Sequence, residues 1–393
     1  MKDTHWTTLL EQVLANLLTQ NGLAPSQIED VAVGVTLSPK AATLAKVCLF
    51  NAGFPETTSV YTVNRKCASS LEALVNISNQ IRWGMIRIGI AAGVESMSAF
   101  GFEYGRSKES NDIIANLNKP DPSLSAPRFK VYHDGPQLSK DCLISNGITA
   151  ENVASRFGVS REAQDAFALS SHVKALKATK AGEFKAEIVP IKTNLVGRDG
   201  ATVEVVVRED DGSRDTTMAA LAALKPAFKK DGSCTAGNSS QVSDGAAAAL
   251  LTTRAEAQRL GLPVLGRMLA SAVAGVPPEI MGIGPAKAIP LAVQRAGLQL
   301  SDIDIFEINE AFASQALYCA QELDIPLHKV NPLGGAIALG HPLGCTGVRL
   351  VSTLLHYLRR HNLRYGVVSM CIATGMGMAA VFQSEPETPH SKL

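Results

Sequence analysis

A layered α/β body built from two copies of one unit is the fold class that this 393-residue sequence predicts. Three observations predict it. Short apolar runs alternate with helix-period stretches at both ends of the chain, the pattern of buried strands joined by helices, which implies parallel sheets. "GLAPSQIEDVAVGV" (22–35) repeats as "GLQLSDIDIFEINE" (297–310), each reading as helix end, turn and buried strand. "VNRKC" (63–67) repeats in place as "VNPLG" (330–334), and "IGIAAGVESM" (88–97) as "YGVVSMCIATGMG" (365–377). Such a duplication implies a pseudo-symmetric pair of sheets.

The elements follow in order. The opening, "MKDTHWTTLLEQVLANLLTQNG", places Leu9, Leu10, Val13, Leu14, Leu17 and Leu18 at helical period. It reads as a helix on a core and not as a signal peptide. Strand and helix patterns alternate to residue 98. Residues 99–224 differ: "NKPDPSLSAPRFKVYHDGP" is a polar loop, "SREAQDAFALSSHVKALKATKAG" a helix and "ATVEVVV" a short strand. From 225 the alternation returns and runs to Gln383. The division expected is therefore 1–98 plus 225–262 as one half, 99–224 as an inserted loop region, 263–385 as the second half and 386–393 as a tail.

The repeat also exposes an asymmetry. In the second copy the strand "VLGRMLASAVAG" (264–275) precedes the first helix, whereas the first copy begins at its helix. By this count the first strand of the N-terminal unit is missing. A first strand usually lies inside a doubly wound sheet. Either another segment fills that slot, or the sequence starts late.

Bulk properties narrow the function classes. Net charge is +1, which supplies no global field for nucleic acid or membrane. No apolar run reaches the length of a membrane span. Seven cysteines (48, 67, 142, 234, 319, 345, 371) are scattered without CxxC spacing. That argues against a disulfide framework and a zinc site, and for a reducing compartment. The last three residues, Ser391-Lys392-Leu393, form the receptor-read peroxisomal address S-K-L, and the polar "QSEPETPH" before them leaves it accessible.

Chemistry-bearing residues gather in four stretches: "NRKCASSLEAL" (64–74), "INEAFASQAL" (308–317), "NPLGGAIALGHPLGCTG" (331–347) and "SMCIATGMGMAAVF" (369–382). Each ends a strand or opens a helix, where α/β sheets place ligands. Cys67 sits before a helix, whose N-terminal field favours a thiolate, with Arg65 and Lys66 beside it. Read alone, Cys67 and Cys371 are packed thiols, His341 is polar surface and Asn309-Glu310 caps a helix. Neither GxGxxG nor GxxxxGK[ST] occurs, which argues against those nucleotide folds. Together, two cysteines, one histidine and one asparagine fall at strand ends of a duplicated unit, where a Cys–His pair activates a thiolate and a second acid/base thiol is useful when a carbon leaving group must be protonated.

These motifs resemble the thiolases along nearly the whole chain. "AAGVESMS" (91–98) and "LKPAFKKDGSCTAGNSSQVSDGAAAALL" (224–251) add to the likeness. The resemblance implies a five-layer α-β-α-β-α body, and CoA-dependent cleavage of a 3-ketoacyl-CoA to acetyl-CoA and a shortened acyl-CoA in fatty-acid β-oxidation. It implies Cys67 as nucleophile, His341 as its base, Cys371 as second acid/base, and Asn309 holding an oxyanion water with His341. The backbone N–H groups of Cys67 and Ala373 are implied as a second oxyanion pocket. Ser240, Phe228, Met281 and Phe312 are implied as contacts to CoA and substrate. It further implies a homodimer, no metal or redox cofactor, and CoA as a substrate; S-K-L implies capture by the peroxisomal import receptor.

Four departures stand out. Ser70 and Ala373 replace glycines usual in the family, Asn146 replaces a methionine beside the acyl or pantetheine channel, and the N-terminal strand is absent. They motivate two alternatives: an acetoacetyl-CoA thiolase, or a catalytically impaired CoA-ester-binding form. The glycine at 373 is expected to matter because a Cβ crowds an oxyanion pocket or shifts its backbone.

Overall fold

In this computed structural model residues 1–98, 135–197 and 199–385 are described. Most of the polar loop and the terminal S-K-L lie outside them. The N-terminal region runs α1 (Trp6–Gln20), β1 (Asp30–Gly34), α2 (Ala41–Asn51), β2 (Ser59–Val63), α3 (Ser69–Arg82) and β3 (Ile88–Ser96). The middle holds α4 (Gln137–Asp141), α5 (Asn146–Phe157), α6 (Arg161–Ala181), the hairpin β4 (Ile191–Val196) and β5 (Thr202–Val207), and α7 (Met218–Ala222). Then follow β6 (Asp244–Thr252), α8 (Arg254–Arg259), β7 (Gly266–Gly275), α9 (Gly284–Arg295), β8 (Ile305–Ile308), α10 (Ala313–Glu322), α11 (Ala336–Leu339), α12 (Thr346–Arg360), β9 (Tyr365–Ile372) and β10 (Met376–Ser384).

Two four-stranded sheets carry the fold, in the orders β2-β1-β3-β6 and β7-β10-β9-β8. Their apolar strands are flanked by helices on both faces, which gives five layers. α1 and α2 cover one face of the first sheet, through Leu10, Leu14 and Leu49 against Val31, Val33 and Ile90. α3 and α12 form the middle layer, where Leu71, Ile77, Leu350 and Leu354 join Ala32 and Ala91 of one sheet to Met370 and Ala380 of the other. α9 and α10 cover the far face, around Ile289, Val293, Ile308 and Val381. The middle layer matters most for function, because α3 follows Cys67 and α12 follows His341.

The repeat is visible in detail. Pro25–Gln27 and Leu300–Asp302 are matching single turns ahead of β1 and β8. Gly22 and Gly297, at φ 61° and 71°, end the preceding helices alike. Two expectations are corrected. The sheets are mixed, not parallel: β6 runs antiparallel to β3, and β10 antiparallel to both β9 and β7. The last strand of each half turns back beside its neighbour, which no crossover helix dictates.

That return strand also moves the slot expected for a first strand. β7, the first strand of the second half, lies at the sheet edge, beyond β10. Its counterpart in the first sheet would therefore border the outer edge of β6, and not sit in the interior. No strand pairs with that edge among the described residues. A cavity of about 1510 Å³ runs along it, between Leu9 and Val13 of α1, Leu250 of β6 and Val351 and Leu355 of α12. Cys67, Asn309, His341 and Cys371 do not line this cavity.

Candidate active site

Cys67 stands on a tight elbow between β2 and α3. Lys66 takes φ 50°, a left-handed conformation uncommon for a side-chain-bearing residue. The Ser69 hydroxyl holds the elbow. It accepts the Arg65 N–H at 2.9 Å and donates to the Lys66 carbonyl at 2.6 Å. Arg65 does not serve the thiol, since its guanidinium pairs with Glu72 at 2.9 Å. Cys67 is 4 % exposed, and burial pushes its thiol up to about 11. Hydrogen bonds from the Ala373 and Cys67 N–H groups, and the Lys66 charge, act the other way without overcoming burial. The resting group is a thiol, so the helix field expected to favour a thiolate is outweighed.

His341 lies in the turn before α12. Gly340, at φ 92°, permits that turn, and any side chain there would crowd Ser243. The Ser243 hydroxyl accepts the His341 backbone N–H at 3.0 Å. Burial, then the Arg349 charge, lowers His341 to about 3, so the ring is neutral near pH 7. Its tautomer follows from the partners. Thr346 Oγ1 donates to the Pro342 carbonyl at 3.1 Å, so it accepts from His341 Nδ1 at 2.6 Å. Nε2 then carries the lone pair, and Asn309 Nδ2 approaches it at 3.3 Å. This is the form a general base needs.

Asn309 follows β8 and is buried. Its Oδ1 has no hydrogen-bond partner among the described residues. Asn309 and Glu310 do not cap a helix, because α10 begins at Ala313. Cys371 lies near the end of β9, fully buried. Desolvation holds its thiol well above the ordinary value, and Cys67 contributes in the same direction. Cys371 packs with Met281 and Phe312. Phe228 meets Phe312 edge-on, with ring centroids 5.8 Å apart. Ser240 donates its backbone N–H to Ala311 at 3.0 Å, which ties the "GNSS" segment to the strand end carrying Asn309. Cys371 thus lies with Met281 and Phe312 and within electrostatic reach of Cys67, and Asn309 lies against the His341 ring, with Phe228 beside Phe312 and Ser240 tied to Ala311.

Ala373 and Ser70 fit their surroundings. Ala373 does not need glycine's freedom; the left-handed positions of the β9–β10 turn are Thr374 and Gly375, at φ 74° and 92°. Its N–H still reaches the Cys67 sulfur. Ser70 is buried opposite Gly93, and its Oγ accepts the Val348 N–H at 3.0 Å. Asn146 is exposed at the first position of α5, beside Gly147, which packs under the Phe228 ring.

Two buried acids have roles that the sequence reading did not give them. Glu95, at the end of β3, accepts N–H groups from Thr36 at 3.0 Å, Leu37 at 3.1 Å and Gly344 at 3.0 Å. It fastens the first half to the His341 turn. Glu310 accepts from Asn331 Nδ2 at 2.8 Å, Ser171 Oγ at 2.7 Å and the Ile337 N–H at 3.2 Å, and so fixes the glycine-rich segment leading to His341. The available signal was a lone carboxylate in an apolar strand setting, which has to be hydrogen-bonded when buried.

Residues 1–255 match the family "Thiolase, N-terminal domain" and residues 262–384 match "Thiolase, C-terminal domain". The chain is 54 % identical over 385 residues to the human peroxisomal 3-ketoacyl-CoA thiolase, covering 97 % of this chain and 86 % of that one. It is 50 % identical over 388 residues to Arabidopsis thaliana peroxisomal 3-ketoacyl-CoA thiolase 2, covering 97 % and 79 %. The crystal structure of the dimeric peroxisomal thiolase of Saccharomyces cerevisiae superposes with a TM-score of 0.83 at 45 % identity, covering 98 % and 92 %. Matches to both halves in order, on a duplicated fold that carries two buried thiols, an imidazole and an asparagine at its strand ends and turns, place this chain in the thiolase family.

Proposed function

We infer that this protein is a peroxisomal 3-ketoacyl-CoA thiolase, an acyltransferase that uses free CoA to cleave 3-ketoacyl-CoA in fatty-acid β-oxidation. The observation that carries the reading is a neutral His341, unprotonated at Nε2 and against Asn309, in a fold that also buries Cys67 within reach of Cys371. CoA is a substrate in this reaction, and none of the steps below uses a metal or redox cofactor. No group of His, Cys, Asp and Glu side chains suited to a metal occurs among the described residues.

The proposed steps are these. His341 Nε2 takes the Cys67 proton as the sulfur attacks the 3-keto carbon. A buried thiol at about 11 gives its proton up only as the new C–S bond forms, so transfer and attack are coupled. The Cys67 and Ala373 N–H groups receive the developing alkoxide. The C2–C3 bond then breaks. Its electron pair becomes the acetyl-CoA enolate, whose oxygen is held by His341 and a water on Asn309, and Cys371 gives C2 its proton. The acyl group remains on Cys67. Cys371 takes the proton of the incoming CoA thiol, CoA attacks the acyl carbon, and the Cys67 thiolate leaves to regain its proton from His341. Met281, Phe312 and Phe228 offer apolar contacts for pantetheine and acyl chain, and Ser240 a polar one.

The division of labour assigns 1–98 with 225–262 to the nucleophile half, 99–224 to substrate binding and 263–385 to the acid/base half. The chain works as a homodimer and is delivered by the import receptor through S-K-L. Intact-protein and peptide mass spectrometry after mixing with a 3-ketoacyl-CoA tests the central role. An acyl mass is expected on Cys67; turnover with Cys67 unmodified would refute it.

A further inference from the structure

We propose that Ser70 is a positioning residue for this reaction, holding the His341 ring in line with Cys67 by capping a helix in the other half of the molecule. The inference rests on the thiolase reading of the site. It begins with an unmet need of α12. A helix leaves its first N–H groups without internal partners, and its own N-cap side chain ordinarily meets one of them. The N-cap residue of α12 is Cys345, whose side chain caps nothing. The Val348 N–H, in the first turn, instead donates to Ser70 Oγ at 3.0 Å. Ser70 is fully buried and lies 278 residues away, in the first turn of α3.

This bond lies on a short path between the two reacting groups. Cys67 is three residues before Ser70. Thr346, the first residue of α12, accepts from His341 Nδ1 at 2.6 Å. The path therefore runs from Cys67 through the first turn of α3 to Ser70, across to the first turn of α12, and through Thr346 to the imidazole. A glycine at 70, the residue the family resemblance gives, leaves the Val348 N–H without this acceptor. The side chain fits because Gly93 faces it; a Cβ at 93 would overlap both Ser70 and the Gly344 carbonyl. An unmet buried donor draws water or shifts the helix end, and an error of about 1 Å in a reacting geometry costs on the order of a hundredfold in rate.

The test compares wild type, Ser70→Ala, Ser70→Gly, Thr346→Val and the Ser70→Ala/Thr346→Val pair. Each is checked by circular dichroism, then assayed for thiolysis and for iodoacetamide alkylation of Cys67 across pH. Ser70→Gly guards against misfolding, because it restores the family residue. The two Ser70 variants are expected to lose about tenfold or more in kcat with KM for the 3-ketoacyl-CoA within twofold, and to alkylate Cys67 more slowly. The double variant is expected to lose little beyond Thr346→Val, since both changes cut one path. A kcat and alkylation profile within twofold of wild type in the folded Ser70 variants, or losses that multiply in the pair, would overturn the proposal. A wild type that acylates nothing would instead overturn the thiolase reading, and the alkylation comparison still decides the role of Ser70.

Discussion

Replacing Thr346 with Val removes one oxygen and keeps the shape of the side chain. The oxygen does two things: it donates to the Pro342 carbonyl at 3.1 Å and accepts the His341 Nδ1 proton at 2.6 Å. Both groups are buried, so solvent does not replace the lost partner. An unsatisfied buried donor costs about 1–3 kcal/mol. That penalty falls only on the Nδ1-protonated tautomer, because the alternative places the proton on Nε2. The tautomer ratio therefore moves by about five- to 150-fold toward the form that cannot accept a proton from Cys67. Thiolysis should fall by about 10- to 100-fold in kcat/KM, with kcat falling equally, because the loss is in the transition state. Thr346→Ser keeps the oxygen and should retain most of the activity while losing a buried methyl group. Steady-state thiolysis, with a urea midpoint for each protein, separates chemistry from stability. A folded Thr346→Val enzyme with kcat/KM within twofold of wild type would show that the tautomer does not depend on this contact.

Three further outcomes are expected. Burial raises Glu307 from 4.5 to about 8, and neither carboxylate oxygen has a hydrogen-bond partner among the described residues. The folded chain then holds a proton that the unfolded chain releases, so the stability from this group is complete below about 4.5 and is lost as pH rises toward 8. Glu307→Gln stays neutral throughout, and its urea-derived stability should fall less than that of wild type from pH 5 to 8, by on the order of 3 kcal/mol; parallel declines would contradict the assignment. Gly147→Ala drives a Cβ into the Phe228 ring, which is partly exposed and swings away. The KM for CoA esters should rise several-fold with kcat nearly kept, and an unchanged KM would remove Phe228 from the binding surface. In hydrogen exchange, amides of β6 that point away from β3 should exchange faster than those of β10, which is paired on both sides. Equal protection would mean that another segment covers the β6 edge.

The repeat was legible in the sequence because it is written in periodicity. Two runs with the same order of helix end, turn and apolar strand have to fold alike, whatever surrounds them. The helix period of Leu9, Leu10, Val13 and Leu14 likewise announced the buried face of α1. Cys67, Asn309, His341 and Cys371 could be picked out because glycine-rich strand ends carry chemistry in α/β sheets. Their meeting was not legible, since Cys67 and His341 are 274 positions apart and only the stacking of α3 on α12 brings their turns together.

Three things were decided by tertiary structure alone. The return of β6 and β10 antiparallel to their neighbours put β7 at an edge and left the outer edge of β6 without a strand among the described residues, because sheet order depends on which side a connection crosses and not on local pattern. Burial decided the protonation states. The helix N-terminus and Lys66 argue for a thiolate, yet desolvation of a 4 % exposed sulfur outweighs them and leaves the thiol. Long-range hydrogen bonds decided the departures. Ser70 fits where a glycine is usual because a helix from the other half, with no side-chain bond of its own at the cap, presents the Val348 N–H to it. Composition and spacing determine which units form and which residues can react; what each reacting group faces, and in which protonation state, depends on packing between segments hundreds of residues apart.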